Sequence, residues 1–373
     1  MKTLKFLHAA DLHLDAPFRS LPGEKAAVCR GEQRLLLNRL AKLAEEEAVD
    51  FVLLSGDLLD GENLYFETGQ QLLRCLRDMT VPVYIAPGSH DPYTVSGFYA
   101  RAALPDNVHV FPTQEITCVE EERTGTLIYG AAFTGPSCPP LLRGFHARPE
   151  TDRRQIMCLY GDAEHPNSAK NPITEDEIAD TGLDYLALGH GHTASGLRKA
   201  EKTFYAWPGC AEGHSFAESG EKTVSVITLN GEECTEERYC VSSRRYMKMS
   251  VDVTGTDPLL AVNTALPEDP ARDIYRITLT GQTAQAPKTG LLRAALEDLF
   301  FELQLKDATG LSEDLWQKAS EDSLRGRFLR TMRKQYEQAR DEAARRRVES
   351  AARWGLAALD GKEEVNPHED QPT

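Results

Sequence analysis

No stretch of the chain stays apolar over the length that crossing a bilayer needs. The N-terminus passes from Met1-Lys2 straight into a short strand-like segment, without the apolar region of a signal peptide. A cytoplasmic location with no membrane contact is therefore expected. Cys-x-x-Cys pairs are also missing. The eight cysteines are scattered, which excludes a paired-cysteine zinc site and a secreted disulfide framework and leaves reduced, mostly buried thiols. Positive charge is in deficit: 42 Lys and Arg stand against 58 Asp and Glu, a formal net charge of -16. A chain of that sign does not hold nucleic acid through its overall field, so any phosphate contact has to be confined to a patch. Arginines outnumber acids between Ser323 and Trp354 (Arg325, Arg327, Arg330, Arg333, Arg340, Arg345, Arg346, Arg347 and Arg353). That stretch reads either as such a patch or as the solvated face of a helix.

What is present is apolar material, 41% of 373 residues, enough for a large core and for more than one average domain. Short runs rich in Val, Ile, Leu and aromatics recur between turn signals as buried strands do: Leu4 to Leu7, Phe51 to Leu54, Val83 to Ala86, Leu127 to Tyr129, Ile156 to Leu159, Tyr185 to Leu188 and Val224 to Leu229. Helical patterns separate the first three, as from Arg34 to Ala44, so the opening reads βαβαβ and later strands follow with fewer helices. A layered α/β fold, a mixed β-sheet sandwich flanked by helices, is expected over residues 1–242. A strand-helix-strand-helix-strand pattern (Met247 to Val253, Asp257 to Leu266, Asp273 to Leu279, Leu291 to Leu299, Phe300 to Leu305) predicts a small α+β unit over 243–310. Residues 311–360 read as charged helix. There Leu329, Met332, Tyr336, Ala339 and Ala343 recur at steps of three and four, a seam for a partner helix or for the helix's own domain. Residues 361–373 read as a disordered acidic tail.

The chemistry-bearing residues sit just after predicted strands, where open α/β sheets place their sites. They are Asp11 and His13 in HAADLHLD, Asp57 in GDLLD, the run Gly88-Ser89-His90-Asp91, and His190 and His192 in GHGH. Carboxylate and imidazole are ligands for divalent ions, and adjacent glycines permit the tight turns that bring such groups together. Each piece alone is weak; four in order, each behind an apolar strand, point to a metal site.

This pattern resembles the calcineurin-like metallophosphoesterases, whose motifs run D-x-H, GD-x-x-D, GNH-D/E, a lone His, and GH-x-H. The HAADLHLDAPF opening, the GDLLD form and the capping-like unit with its helical tail resemble the bacterial YhaO-like and SbcD-like DNA exonuclease subunits. The resemblance implies a dinuclear centre of two divalent ions, Mn with Fe, Zn or Mg as alternatives, that activates water against a phosphodiester. It further implies that Asp11, His13 and His192 hold one metal, that Asp57 bridges both and that His190 belongs to the second. His90 would be the general acid, with Asp91 orienting its imidazole. The implied partners are DNA and an SMC-like or AAA-type ATPase docked on the C-terminal helices, with homodimer formation as a further possibility.

The sequence departs from the family at the second metal. Ser89 stands at the asparagine of GNHD, and Tyr160 stands at the lone histidine. A phenol is a weak ligand for Mn or Zn, so that site is expected to be the weaker one. His165 either substitutes for it or is a surface-loop histidine. Phe18, Trp207 and Phe216 either border a substrate groove or belong to the core, and His214 either nears the phosphate or is structural. Three functions stay open: a Mn-dependent DNA nuclease subunit, a phosphoesterase on a non-nucleic substrate, and a weakened or degenerate enzyme that scaffolds its ATPase.

Overall fold

The computed structural model describes residues 2–61, 64–149, 152–283, 286–311 and 316–359; the acidic tail expected at 361–373 lies outside them. The chain divides after Arg245 into two compact units.

In the first unit β1 (Leu4–Ala9), β2 (Phe51–Leu54), β3 (Val83–Ile85) and β4 (Val108–Val110) run parallel, with α1 (Gly23–Glu46), α2 (Phe66–Asp78) and α3 (Phe98–Arg101) between them. A second sheet holds β5 (Thr117–Glu121), β6 (Thr126–Gly130), β7 (Gln155–Tyr160), β8 (Tyr185–Gly189), β9 (Arg198–Ala200) and β10 (Thr203–Ala206), in the order β5-β6-β7-β8-β10-β9. Between β7 and β8 lies α4 (Glu175–Thr181), which Thr174 and Glu177 open with a reciprocal capping box and Gly182 ends at φ 66°. The hairpin of β11 (Thr223–Asn230) and β12 (Glu233–Cys240) returns antiparallel to β1 and completes the first sheet as β12-β11-β1-β2-β3-β4.

The strands read as unbroken apolar runs because both of their faces are buried. Phe6, Phe51, Leu53 and Tyr84 point between the sheets and meet Ile128, Ile156, Cys158, Tyr185 and Ala187. Their neighbours Leu7, Val52, Leu54, Val83 and Ile85 point outward under α1 and α2. On the second sheet Met157, Leu159, Leu186 and Leu188 face the opposite way, with Ile178 of α4. The period of two thus yields a four-layer α/β/β/α sandwich. It also keeps His8 out of the site although it lies in the same segment as Asp11. His8 is buried between Tyr185 Oη and Ser55 Oγ, each at 3.1 Å, and burial pushes its pKa down to about 3.

The second unit follows its own period. β13 (Tyr246–Asp252), β14 (Ile274–Thr280) and, beyond the short β15 (Gln282–Thr283), β16 (Glu302–Asp307) form a parallel sheet crossed by α5 (Pro258–Ala265) and α6 (Thr289–Leu296). β15 pairs with β17 (Gly310–Leu311). Its last described elements are α7 (Leu324–Gln338) and α8 (Glu342–Leu359). The seam expected to run unbroken from Leu329 to Ala343 is divided, because the helix stops at Gln338 and Ala339 turns extended. Leu329 and Met332 instead pack on Ala352 and Leu356 of α8, so the hairpin buries that stripe within itself. Gly355 permits the close approach, since a Cβ there would collide with the Phe328 ring. Arg353 leaves the basic surface to pair with Asp307 at 3.2 Å.

Candidate metal centre

The motif residues leave the C-terminal ends of β1, β2, β3, β7 and β8 and meet at one edge of the sandwich. Their backbone is unusual. Asp11 (φ 51°), His13 (φ 43°), Asp57 (φ 48°) and His190 (φ 87°) are non-glycine residues in left-handed conformations, which persist only where the surroundings impose them. Here the first two loops bond to each other: Asp11 N–H donates to Gly56 O at 3.0 Å, His13 N–H to Asp57 O at 3.0 Å, and Leu14 N–H to Leu58 O at 2.8 Å. The third loop is tied in by Asp91. Its carboxylate accepts from the N–H groups of Gly88 (2.8 Å), Asp57 (3.1 Å) and Leu58 (2.8 Å) and from Tyr99 Oη (2.6 Å).

Asp11, His13 and His192 bring one ligand atom each to within 4.8 Å of one another, and His13, Asp57 and His90 form a second such group. Outer partners fix the imidazoles. His13 Nδ1 lies 3.2 Å from Asp60 Oδ1, and His192 Nδ1 lies 2.6 Å from Glu218 Oε1. With those nitrogens donating, both Nε2 lone pairs face each other across 3.3 Å, beside the buried Asp11 carboxylate. Two acceptor nitrogens and a carboxylate around one point are a cation's donor set, and the carboxylate behind each imidazole is the support such ligands have. Burial pushes the pKa of Asp11 up to about 7, a cost that a cation beside it would remove. The residues at this position therefore fit a divalent ion.

His90 faces the same point, its ring centroid 4.8 Å from that of His13, with its side chain about half exposed. The expectation that Asp91 orients His90 is corrected by the structure. Asp91 is buried and committed to the backbone of the Asp57 loop, and the carboxylate beside His90 Nδ1 is Asp60, at 3.7 Å. The Asp60 carboxylate beside Nδ1 raises the His90 pKa against the effect of burial. Burial works upward on Asp60 itself, but the hydrogen bond to His13 and the His90 imidazole beside it outweigh burial and hold the carboxyl well below its ordinary value. Asp60 lies within the GDLLD motif, yet its spacing from Asp57 carries no sign of which histidine it serves. Glu218 escaped the sequence reading for the same reason. It stands twenty-six residues beyond His192 and also holds His214, whose Nδ1 is 3.2 Å from Glu218 Oε2. His214 Nε2 meets Gln33 Nε2 at 2.9 Å, so that ring is engaged on both sides. Phe18, Trp207 and Phe216 are buried, which makes them core residues rather than stacking surfaces.

The remaining motif residues gather beside this cluster, around Tyr160. Its Oη lies 2.6 Å from Asp57 Oδ2, 2.9 Å from His190 Nδ1 and 3.3 Å from Ser89 Oγ. Burial, with the Asp57 charge, raises the phenol pKa far above its ordinary value, so Tyr160 is a neutral donor. His190 Nε2 lies 3.3 Å from Asp162 Oδ2. His165 bonds the same Asp162 from an exposed loop position, with Nδ1 at 3.2 Å, and makes no hydrogen bond to Tyr160.

Residues 4–194 match the family model described as calcineurin-like phosphoesterase. Among curated proteins, the chain is 28% identical over 270 residues to the uncharacterized metallophosphoesterase YhaO of Bacillus subtilis (strain 168), covering 69% of this chain and 65% of that protein, just under two thirds of its length. It is 25% identical over 287 residues to a subunit of the nuclease SbcCD of the same organism, covering 64% of this chain and 70% of the relative. It is 26% identical over 293 residues to the DNA double-strand break repair protein Mre11 of Aeropyrum pernix, covering 70% and 67%. The crystal structure of TT1561 of Thermus thermophilus aligns with a TM-score of 0.41 and 14% identity, over 64% of this chain and 99% of that one. Family match, α/β layering and metal-ligand clusters agree, and the chain belongs to the calcineurin-like metallophosphoesterases.

Proposed function

We propose that the chain is a metal-dependent phosphodiesterase acting on DNA, with Mn(II) held by Asp11, His13 and His192, Asp57 alongside, and His90 as the proton donor. The observation that carries this reading is the placement of His90, a half-exposed imidazole backed by Asp60 and adjoining buried ligand atoms. A divalent ion at that position supplies Lewis acidity toward a phosphoryl oxygen. The protein does the rest. The Asp60 carboxylate beside Nδ1 favours the protonated His90 ring, whose Nε2 gives its proton to the departing ester oxygen. Asp91 and the paired loops hold Asp57 where its carboxylate faces the same point.

DNA as substrate is supported by the two relatives named as a nuclease subunit and as a DNA break repair protein. The relative named as one subunit of a nuclease supports a second protein as partner, which we assign as an SMC-like or AAA-type ATPase seated on the exposed sides of α7 and α8, where Leu324 and Leu359 stand in solvent. The scaffold alternative draws on Ser89 and Tyr160, while the complete first cluster and the His90–Asp60 pair favour catalysis.

The test is Mn(II)-dependent cleavage of single- and double-stranded DNA and of bis-p-nitrophenyl phosphate by the purified chain, beside His90→Asn. Loss of about 10²-fold or more in turnover with ion binding intact is the expected result for that variant. Wild-type turnover in His90→Asn removes it from the acid role. Cleavage of the small diester without DNA cleavage keeps the phosphodiesterase and refutes the substrate.

A further inference from the structure

We infer that this chain holds a single ion, and that the hydroxyl of Tyr160 stands where a second would lie. The inference rests on the site reading proposed above and narrows it. Asp57 Oδ2, Ser89 Oγ and His190 Nδ1 converge on one point, and the phenol oxygen is at that point, at 2.6, 3.3 and 2.9 Å. A metal ion sharing these groups would have to come within about 2.0 to 2.2 Å of oxygen and nitrogen alike. It would then overlap the hydroxyl.

The hydrogen bonds agree. The phenol O–H donates to Asp57 at 2.6 Å, and Ser89 Oγ and His190 Nδ1 lie within hydrogen-bond distance of the same oxygen. The His190 ring turns its other nitrogen, Nε2, to Asp162 at 3.3 Å. At the first position His13 Nε2 and His192 Nε2 lie 3.3 Å apart beside Asp11, and the three residues form one group of ligand atoms. Among the described residues, His190 joins no group of three His, Cys, Asp or Glu ligand atoms, although His13 joins two.

The ring is also fitted into the fold rather than laid over the site. A Cβ at Gly56 or Gly88 would collide with it, Phe133 meets it edge-on at 5.1 Å between centroids, and Asn171 Nδ2 holds its carbonyl at 2.8 Å. Tyr160 is the last residue of β7 and is 2% exposed, so the hydroxyl does not swing aside to admit an ion. The second position is thus filled by a neutral hydrogen-bond donor, which holds Asp57 and His190 in place without positive charge.

The experiment is a metal count on the full chain after equilibrium dialysis against Mn(II), with electron paramagnetic resonance to read isolated or exchange-coupled ions. Wild type is expected to hold one isolated ion per chain, Tyr160→Phe one, and Tyr160→His two that are coupled. Two ions in wild type, or a single ion in a folded Tyr160→His, overturns the inference and leaves the first site standing. If Tyr160→His does not fold, the wild-type count decides alone. Asp11→Asn locates the ion. Its count should fall to zero, whereas an ion retained in that variant, or none bound by wild type, refutes the site reading itself and the one-ion arrangement with it.

Discussion

Asp60 holds two histidines with one carboxylate, His13 at 3.2 Å and His90 at 3.7 Å. Replacing it by Asn keeps the size and removes the charge. Because Asp60 raises the His90 pKa, and the proposed donor works only while protonated, activity falls as pH rises through that pKa. Asp60→Asn is therefore expected to lower turnover by about 10- to 100-fold, as loss of an outer partner does, and to move the alkaline limb of the pH–rate profile to lower pH. A lowered rate with an unmoved limb would show that Asp60 acts through His13 alone. At this scale the sequence was legible for the residue types and their order. It was silent on Asp60, Asp162 and Glu218, whose partners are reached only through the fold.

At the scale of elements, strand ends are brought together by close backbone approach. Gly189 ends β8 against β2, and a Cβ there would run into the Ser55 carbonyl. That contact is backbone on backbone and has no side chain to yield. Gly189→Ala is expected to cost about 3 kcal/mol and to weaken ion binding by displacing the GHGH loop, as read by denaturant melts and metal titration. Wild-type stability in this variant would mean that the two strand ends separate easily. The strands of the sandwich were legible because a run buried on both faces must be apolar throughout. The α7–α8 break was not, because three-and-four spacing continues through Ala339 and Ala343 while the helix itself stops.

For the whole molecule, the ligand clusters found among the described residues all fall in the unit that ends at Arg245. In that unit an ion would relieve facing lone pairs and buried carboxylates, and a ligand bound by the native state alone stabilises it by about 2.7 kcal/mol at a hundred times its dissociation constant. Hydrogen exchange is accordingly expected to slow on Mn(II) addition in β1, β2 and β8 and to stay unchanged in β13, β14 and β16. Equal protection of both units would place an ion-linked contact outside the site described.

The sequence by itself determined the layered α/β fold, the family and the four segments that converge, because strand periodicity and motif order are local properties of the chain. Tertiary structure alone decided which carboxylate serves which histidine and what Tyr160 does. A phenol at the end of β7 becomes the partner of Asp57, Ser89 and His190 only when four strand ends share one edge, and the distances among them are set by packing rather than by spacing along the chain.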